Sequence, residues 1–214
     1  MKMISMRTLF IILSLCFTVL AGCSGTTTTQ PAATPVSSSP ASTGPASTEQ
    51  AVPVATGSQV SGSDIPDTQV FVTSSSATGH YQLEVPEGWA QTTNGADTSF
   101  VSNLNALQVT LTSASAQPTA STVRNDQMVT LQKTGRAVRD VKVQDVQLPS
   151  GPAVLLTYTS NSDPNSVTNK QVRLENNRYL FYHNGTLATL TLSAPVGADN
   201  VDQWARVAKS FKWM

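Results

Sequence analysis

The stretch Arg178-Tyr-Leu-Phe-Tyr-His-Asn-Gly-Thr-Leu-Ala-Thr-Leu-Thr-Leu-Ser-Ala194 decides the fold. Apolar and polar residues alternate on both sides of Asn184-Gly185, and Asn-Gly between alternating runs is a strong signal of a β-hairpin turn. The segment therefore predicts two antiparallel strands. The run 168–174 and the pair Asn176-Asn177 predict one more strand and one more turn before it, which together make a meander.

Further strands are predicted upstream of this hairpin, because short apolar runs alternate with turn residues such as Asn94-Gly95. The pattern in 141–148 shifts at Val146, which predicts a β-bulge. The predicted strands cover residues 69–73, 81–85, 98–101, 107–112, 141–148 and 153–158.

Two segments have helical periodicity. The first runs from Thr119 to about Lys133 and can end at Gly135. The second begins after Asp199, a good N-cap residue, and places Trp204 and other apolar residues on one face: Val201, Ala205, Ala208 and Phe211. Two helices and about seven strands predict an α+β domain with helices packed on an antiparallel sheet.

Four stretches resemble the PsbP-like fold, and within it the LpqN-type lipoproteins of actinobacteria. They are 81–89 (YQLEVPEGW), 179–185 (YLFYHNG), 190–195 (LTLSAP) and 207–213 (VAKSFKW). The resemblance implies an antiparallel sheet flanked by helices. It also implies an accessory or binding protein rather than an enzyme, and it carries over no functional residue.

The composition excludes several classes of protein. The chain has 214 residues, with 13 Lys and Arg against 13 Asp and Glu, so it lacks the basic excess of a nucleic-acid binder. Its two cysteines, Cys16 and Cys23, are too few for a disulfide-stapled mini-protein or a zinc cluster of cysteines.

The N-terminus predicts export. Lys2 and Arg7 precede an apolar run too short to span a membrane comfortably, which is typical of a signal peptide and here covers residues 1–22. The sequence Leu20-Ala21-Gly22-Cys23 resembles the lipobox of bacterial lipoproteins. That resemblance implies cleavage before Cys23, a diacylglycerol thioether on its sulfur and acylation of the new amino terminus. An ordinary secretory signal with a chance cysteine is the alternative.

Residues 23–63 are rich in Ser, Thr, Pro and Ala, and Glu49 is their only charge. Such a segment has too little apolar surface to offset the entropy of ordering, so we expect a disordered tether between the lipidated Cys23 and a folded domain at 64–214. A cell-wall-binding segment is the alternative.

Candidate catalytic residues are few. A nucleophilic serine needs a base, and only His80 and His183 are available, without a Gly-x-Ser-x-Gly motif. We therefore expect no catalytic site, and a cell-envelope hydrolase is the alternative.

Two groups of residues have weak metal-ligand character. His80, Gln82 and Glu84 would share a strand face with Glu87 nearby, and Asn161, Asp163 and Asn165 alternate like calcium ligands. An exposed strand face and an Asx-rich turn are the simpler explanations. We expect neither a metal nor a cofactor.

Two sets of residues are candidates for binding. Every Lys and Arg after the predicted signal peptide lies at or beyond residue 124, and five cluster there: Arg124, Lys133, Arg136, Arg139 and Lys142. They could contact anionic lipid headgroups or an acidic polymer, and an ordinary solvated surface is the simpler explanation. Trp89 and Trp213, at the ends of elements, could form the rim of a pocket.

These observations together predict a non-catalytic binding or accessory protein outside the cytoplasm, held to the cell membrane by lipidated Cys23. Its expected partners are the membrane through the anchor and an envelope protein, a polymer or a small hydrophobic ligand. Nucleic acid is not expected. A purely structural envelope lipoprotein is a further alternative.

Overall fold

The structure is a computed structural model that describes residues 49–54 and 63–214. Cys23, the predicted signal peptide and most of the predicted tether lie outside these residues. In chain order, the elements of the described residues are β1 (Phe71–Ser76), β2 (Tyr81–Pro86), β3 (Ala90–Asn94), β4 (Asp97–Ser102), β5 (Asn105–Ser113), α1 (Ala120–Asn125), α2 (Gln127–Thr134), β6 (Arg139–Leu148), β7 (Gly151–Asn161), β8 (Arg173–His183), β9 (Thr186–Pro195), α3 (Val201–Ser210) and β10 (Lys212–Trp213).

Seven strands form an antiparallel sheet in the order β3-β4-β5-β9-β8-β7-β6, and β1, β2 and β10 form a smaller antiparallel sheet. The β8–β9 hairpin closes where His183 pairs with Thr186. Its turn residues Asn184 and Gly185 have φ of 45° and 82°. Positive φ at both central residues is typical of a type I′ turn, whose twist matches that of the flanking strands. The predicted hairpin is confirmed.

The larger hydrophobic core lies between one face of the seven-stranded sheet, α3 and the smaller sheet. Phe211 is fully buried there, and its ring centroid lies 4.2 Å from that of Phe181. A second core lies where α1 and α2 cover the opposite face of the sheet. Neighbouring residues Leu180 and Phe181 of β8 belong to different cores, as the alternation of a strand requires. The α+β fold, an antiparallel sheet of seven strands flanked by helices, is confirmed.

The predicted turn at Asn176-Asn177 is wrong, because β8 runs through both residues. Asn176 is buried, and its Nδ2 donates to the Ser160 Oγ at 3.0 Å and the Tyr158 carbonyl oxygen at 3.4 Å. These contacts with β7 satisfy an amide that would otherwise favour a turn. The segment 168–172, predicted as strand, precedes β8 and is not part of it.

The predicted limits of the first helix at Thr119 and Gly135 are confirmed, but its continuity and the predicted N-cap of the last helix are wrong. The first helix is divided at Asp126 into α1 and α2, and α1 is bound to the sheet edge by a 2.7 Å bond from the Ala120 N–H to Asp145 Oδ1. The N-cap of α3 is Asn200, not Asp199. The Asn200 amide makes no capping bond, because its Oδ1 accepts from the Ile65 N–H at 2.6 Å.

Other differences concern strands and the start of the domain. The pattern missed β3, whose five residues are all exposed and so show no alternation, and the two-residue β10. The β-bulge lies between Arg139 and Lys142 rather than at Val146. Ser63 is buried and its carbonyl oxygen accepts from the side chains of Asn105 and Asn200, so buried structure begins before residue 64.

Candidate functional site

The segment Glu49–Val54, hereafter the strap, lies against the end of β7. The sequence placed these residues in a disordered tether, but in the structure they hydrogen-bond to the domain. The polar groups that hold them are therefore the first candidate site.

Asn161 is the centre of these contacts. Its Nδ2 donates to the Gln50 carbonyl oxygen at 2.9 Å, and its Oδ1 accepts from the Val52 N–H at 3.0 Å. The backbone N–H of Asn161 donates to the Arg136 carbonyl oxygen at 2.9 Å, which joins the end of β7 to the segment that follows α2. Asn161 is only 4% exposed, so its position is fixed by the surrounding fold.

The Glu49 carboxylate is held by neutral amides and one cation. Its Oε1 accepts from Gln171 Nε2 at 2.6 Å and more weakly from Asn161 Nδ2 at 3.2 Å. Those two hydrogen bonds, Gln171 first, hold the pKa of Glu49 below its usual value. Arg136 adds its charge through a 3.5 Å contact between Nη1 and Oε2. The arrangement favours an ionised carboxylate at this position.

The buried side chain of Arg173 hydrogen-bonds to Asn161 and stabilises its position. Arg173 Nη1 donates to Asn161 Oδ1 at 3.1 Å and to the Ala137 carbonyl oxygen at 2.7 Å, and Nη2 donates to Thr159 Oγ1 at 2.6 Å. Burial lowers the pKa of this guanidinium, and the charge of Asp140 opposes the shift. Because the guanidinium can only donate, it also fixes which end of the Asn161 amide faces it.

A cavity of about 740 Å³ adjoins the strap where α2 leads into β6. Three of the five basic residues predicted to bind a ligand line this cavity: Lys133, Arg136 and Arg139. The acids Glu49 and Asp163 line it as well. Arg136 pairs with Asp163 through a 2.9 Å contact as well as with Glu49. We call this the basic cavity.

The other two predicted basic residues lie outside that lining. Arg124 on α1 donates from Nη2 to the Val143 carbonyl oxygen at 2.6 Å, which ties the helix to the edge strand β6. Lys142 is exposed on β6 itself. The five residues therefore divide into three at the basic cavity and two along the sheet edge.

The tryptophans contribute to packing. Trp204 and Phe211 belong to the larger core, and Trp89 and Trp213 are partly buried against it. The ring of Trp213 meets that of Phe211 edge-on at 5.3 Å and stacks with that of His183 at 5.7 Å. Trp89 and Trp213 line neither the basic cavity nor the groove between β2 and α3.

Two of the residues with weak metal-ligand character, Glu84 and Asn165, make other contacts. Glu84 accepts from Arg206 Nε at 2.6 Å, at a groove of about 610 Å³ between β2 and α3. Asn165 Oδ1 accepts from the N–H groups of Val167 and Thr168, so the Asx turn expected there is confirmed. Within residues 49–54 and 63–214, no three His, Cys, Asp or Glu residues are grouped as metal ligands.

Three solved structures to which this chain is similar are distant from it in sequence. CyanoP, a cyanobacterial PsbP from Synechocystis sp. PCC 6803, is 18% identical, with a TM-score of 0.48, over 71% of this chain and 98% of that one. The Ran-binding protein Mog1p of Saccharomyces cerevisiae is 8% identical, with a TM-score of 0.46, over 68% and 96%. The Pseudomonas aeruginosa protein PA94, of unknown function, is 13% identical, with a TM-score of 0.43, over 65% and 94%.

No protein-family model matches the chain, and no curated protein matches it in sequence. Among the described residues, no helix is long and apolar enough to cross a membrane.

Sequence reasoning missed the residues that hold the strap: Glu49, Asn161, Gln171 and Arg173. One signal was present, since Glu49 is the only charge in a long uncharged segment. The sequence pattern at Asn161 indicates an Asx-rich turn, and nothing in it joins Asn161 or Gln171 to Glu49, because more than a hundred residues separate them along the chain.

Proposed function

We propose that this protein is a non-catalytic binding protein, anchored by lipid at Cys23 on the extracytoplasmic side of the membrane, and that it binds an anionic component of the envelope at the basic cavity. The lipobox-like sequence Leu20-Ala21-Gly22-Cys23 supports the anchor. Two or more acyl chains bind a bilayer stably, at about 0.8 kcal/mol for each buried methylene.

The observation that carries the binding function is the grouping of Lys133, Arg136 and Arg139 around one cavity of about 740 Å³. Each basic residue near an anionic membrane surface contributes roughly 1 kcal/mol of attraction. Arg136 already pairs with Glu49 and Asp163, whereas Lys133 and Arg139 make no ion pair in the described part of the chain. Lys133 and the guanidinium donors of Arg139 other than Nη1, which donates to the Val138 carbonyl oxygen at 2.9 Å, are therefore available to an anionic ligand.

The contacts of the histidines support a non-catalytic function. His183 hydrogen-bonds to Asn184 at 3.0 Å and stacks on Trp213, while His80 lies in a turn with φ of 53°. No hydrogen bond within the described ranges joins either imidazole to a Ser, Asp or Glu side chain. The hydrolase alternative is tested with esterase, glycosidase and peptidase substrates, where turnover lost in His80→Ala or His183→Ala would favour an enzyme.

The anchor is tested by Cys23→Ser in the native cell. The variant should remain uncleaved or become soluble, and it should no longer partition into detergent. Cys16→Ser is the matched control, because it removes a thiol within the predicted signal peptide and should leave anchoring intact. Normal detergent partitioning of Cys23→Ser would refute lipidation at this residue.

Binding at the basic cavity is tested with the mature chain that carries Cys23→Ser and therefore lacks the anchor. It should co-sediment with anionic vesicles and not with neutral ones, and soluble acidic polymer should compete if the polymer is the ligand. Binding should weaken as the Debye length falls from about 30 Å at 0.01 M salt to about 10 Å at 0.1 M.

The control for net charge uses two double variants. Lys133→Glu with Arg139→Glu should abolish binding, whereas Lys209→Glu with Lys212→Glu changes the net charge equally outside the cavity and should leave most of it. Equal losses in the two variants would show that net charge, and not the basic cavity, drives the interaction.

A further inference from the structure

The side chain of Asn161 contacts the strap at two points of its main chain, the Gln50 carbonyl oxygen and the Val52 N–H. Both groups occur in any polypeptide whose second contact residue is not proline. The contact therefore recognises a stretch of peptide backbone, and the strap is one segment among many that can make it.

The orientation of the Asn161 amide is set by the domain and not by the strap. Arg173 Nη1 donates to Oδ1 at 3.1 Å, and an arginine has no acceptor to offer the other end of an amide. Nδ2 is thereby directed at the Gln50 carbonyl oxygen, and Oδ1 keeps a second lone pair for the Val52 N–H. The backbone-binding geometry is built into the fold.

A carboxylate subsite adds a side-chain requirement. The Glu49 side chain, three residues before Val52, is bound by Gln171 at 2.6 Å and approached by Arg136 at 3.5 Å. Gln171 is itself held by a 3.1 Å bond from Nε2 to the Ser162 carbonyl oxygen. The site thus selects a segment with Glu at its first position and a free N–H at its fourth.

The strap occupies this site with few apolar contacts. Gln50, Ala51, Pro53 and Val54 are all exposed, and Val52 is half-buried. A segment held mainly by polar contacts binds weakly on its own. Its attachment to the domain through residues 55–62 keeps its local concentration high, which favours occupancy without strong binding.

We propose that Asn161, Gln171 and Arg136 form a binding site for an acidic peptide segment of another protein, and that the strap occupies it in cis as a displaceable competitor. The ligand is a peptide of the pattern Glu-x-x-z, where z is any residue except proline. This inference requires neither the lipid anchor nor an anion in the basic cavity.

The test measures binding of a fluorescent peptide of residues 47–56 by anisotropy. The protein is the mature chain with Cys23→Ser, with its strap either intact or weakened by Glu49→Ala and Val52→Pro, which remove the carboxylate and the N–H. The weakened chain should bind the peptide at least tenfold more tightly than the intact chain. Failure of the weakened chain to bind at millimolar peptide would refute the site.

Changes in the peptide test the proposed contacts without altering the protein. N-methylation at Val52 removes one hydrogen-bond donor and should weaken binding about fivefold or more. Replacing Glu49 by Gln in the peptide should also weaken binding. Equal affinity of the methylated and unmodified peptides would overturn the backbone contact, and it would do so whether or not any protein variant folds.

A variant of the domain completes the test. Asn161→Asp, made in the chain with the weakened strap, keeps an acceptor for Arg173 but replaces the Nδ2 donor, and it should weaken peptide binding at least tenfold. Asn165→Asp is the same chemical change in the neighbouring turn, outside the contact, and should leave affinity unchanged. Equal effects of the two substitutions would refute the assignment of Asn161 to the peptide site. Vesicle binding at the basic cavity is measured in a separate experiment.

Discussion

Replacing Phe211 with alanine should remove a large part of the stability of the domain. The side chain is 0% exposed, and its ring centroid lies 4.2 Å from that of Phe181 and 5.8 Å from that of Tyr81. Truncation of a buried phenylalanine costs about 3–5 kcal/mol, and stacked aromatic pairs add to the burial term. We expect a loss of about 4–5 kcal/mol, against a total of about 5–15 kcal/mol for a typical domain.

The loss is measured by urea unfolding followed through tryptophan fluorescence. The slope of the free energy of unfolding against urea concentration should be the same in all variants. Phe211→Leu keeps most of the volume and should cost about 1–2 kcal/mol. Val167→Ala removes a side chain that is 90% exposed and should change stability by less than about 0.5 kcal/mol. If Phe211→Ala lost no more than Phe211→Leu, the reasoning that places this ring at the centre of the core would be refuted.

Two further predictions concern the start of the domain and a half-buried acid, Glu175. A chain that begins at residue 62 should unfold cooperatively, with a free energy of unfolding close to that of the mature chain. A chain that begins at Asp64 lacks the Ser63 carbonyl oxygen, which accepts from the side chains of Asn105 and Asn200. In urea unfolding it should be about 1–3 kcal/mol less stable. Equal stability of the two shortened chains would contradict this. Burial raises the pKa of Glu175, so its ionisation destabilises the folded chain, and Glu175→Gln should raise the free energy of unfolding at pH 7. The gain should vanish as the pH falls through the raised and then the ordinary pKa of the carboxyl group, and a gain retained at pH 3 would contradict the assignment.

Local sequence predicted the elements whose signals are short-range. The β8–β9 hairpin depends on two adjacent turn residues, and α3 on apolar residues three and four positions apart, so both could be read from one window of sequence. Asn176 shows where this fails. Its amide favours a turn in isolation, but β7 offers two acceptors that only the folded sheet brings within reach.

The candidate site could be predicted only in part. Grouping of Lys133, Arg136 and Arg139 followed from their closeness along the chain. The amides that hold Glu49 could not be found in the same way, because their contacts span more than a hundred residues and involve neutral side chains. Composition placed the strap in a disordered tether because it has little apolar surface, but polar contacts bind it to the domain in the structure.

The pairing of β10 with β2 has a consequence for the order in which the domain can form. Trp213 lies beside Tyr81, and the Met214 N–H donates to the His80 carbonyl oxygen at 2.8 Å. His80, Tyr81 and Gln82 therefore lack their contacts with residues 212–214 until these have left the ribosome, although β1 can pair with β2 earlier. Contacts of such long sequence separation are slow to form. A chain emerging residue by residue therefore cannot complete the smaller sheet until almost the whole domain has been synthesised.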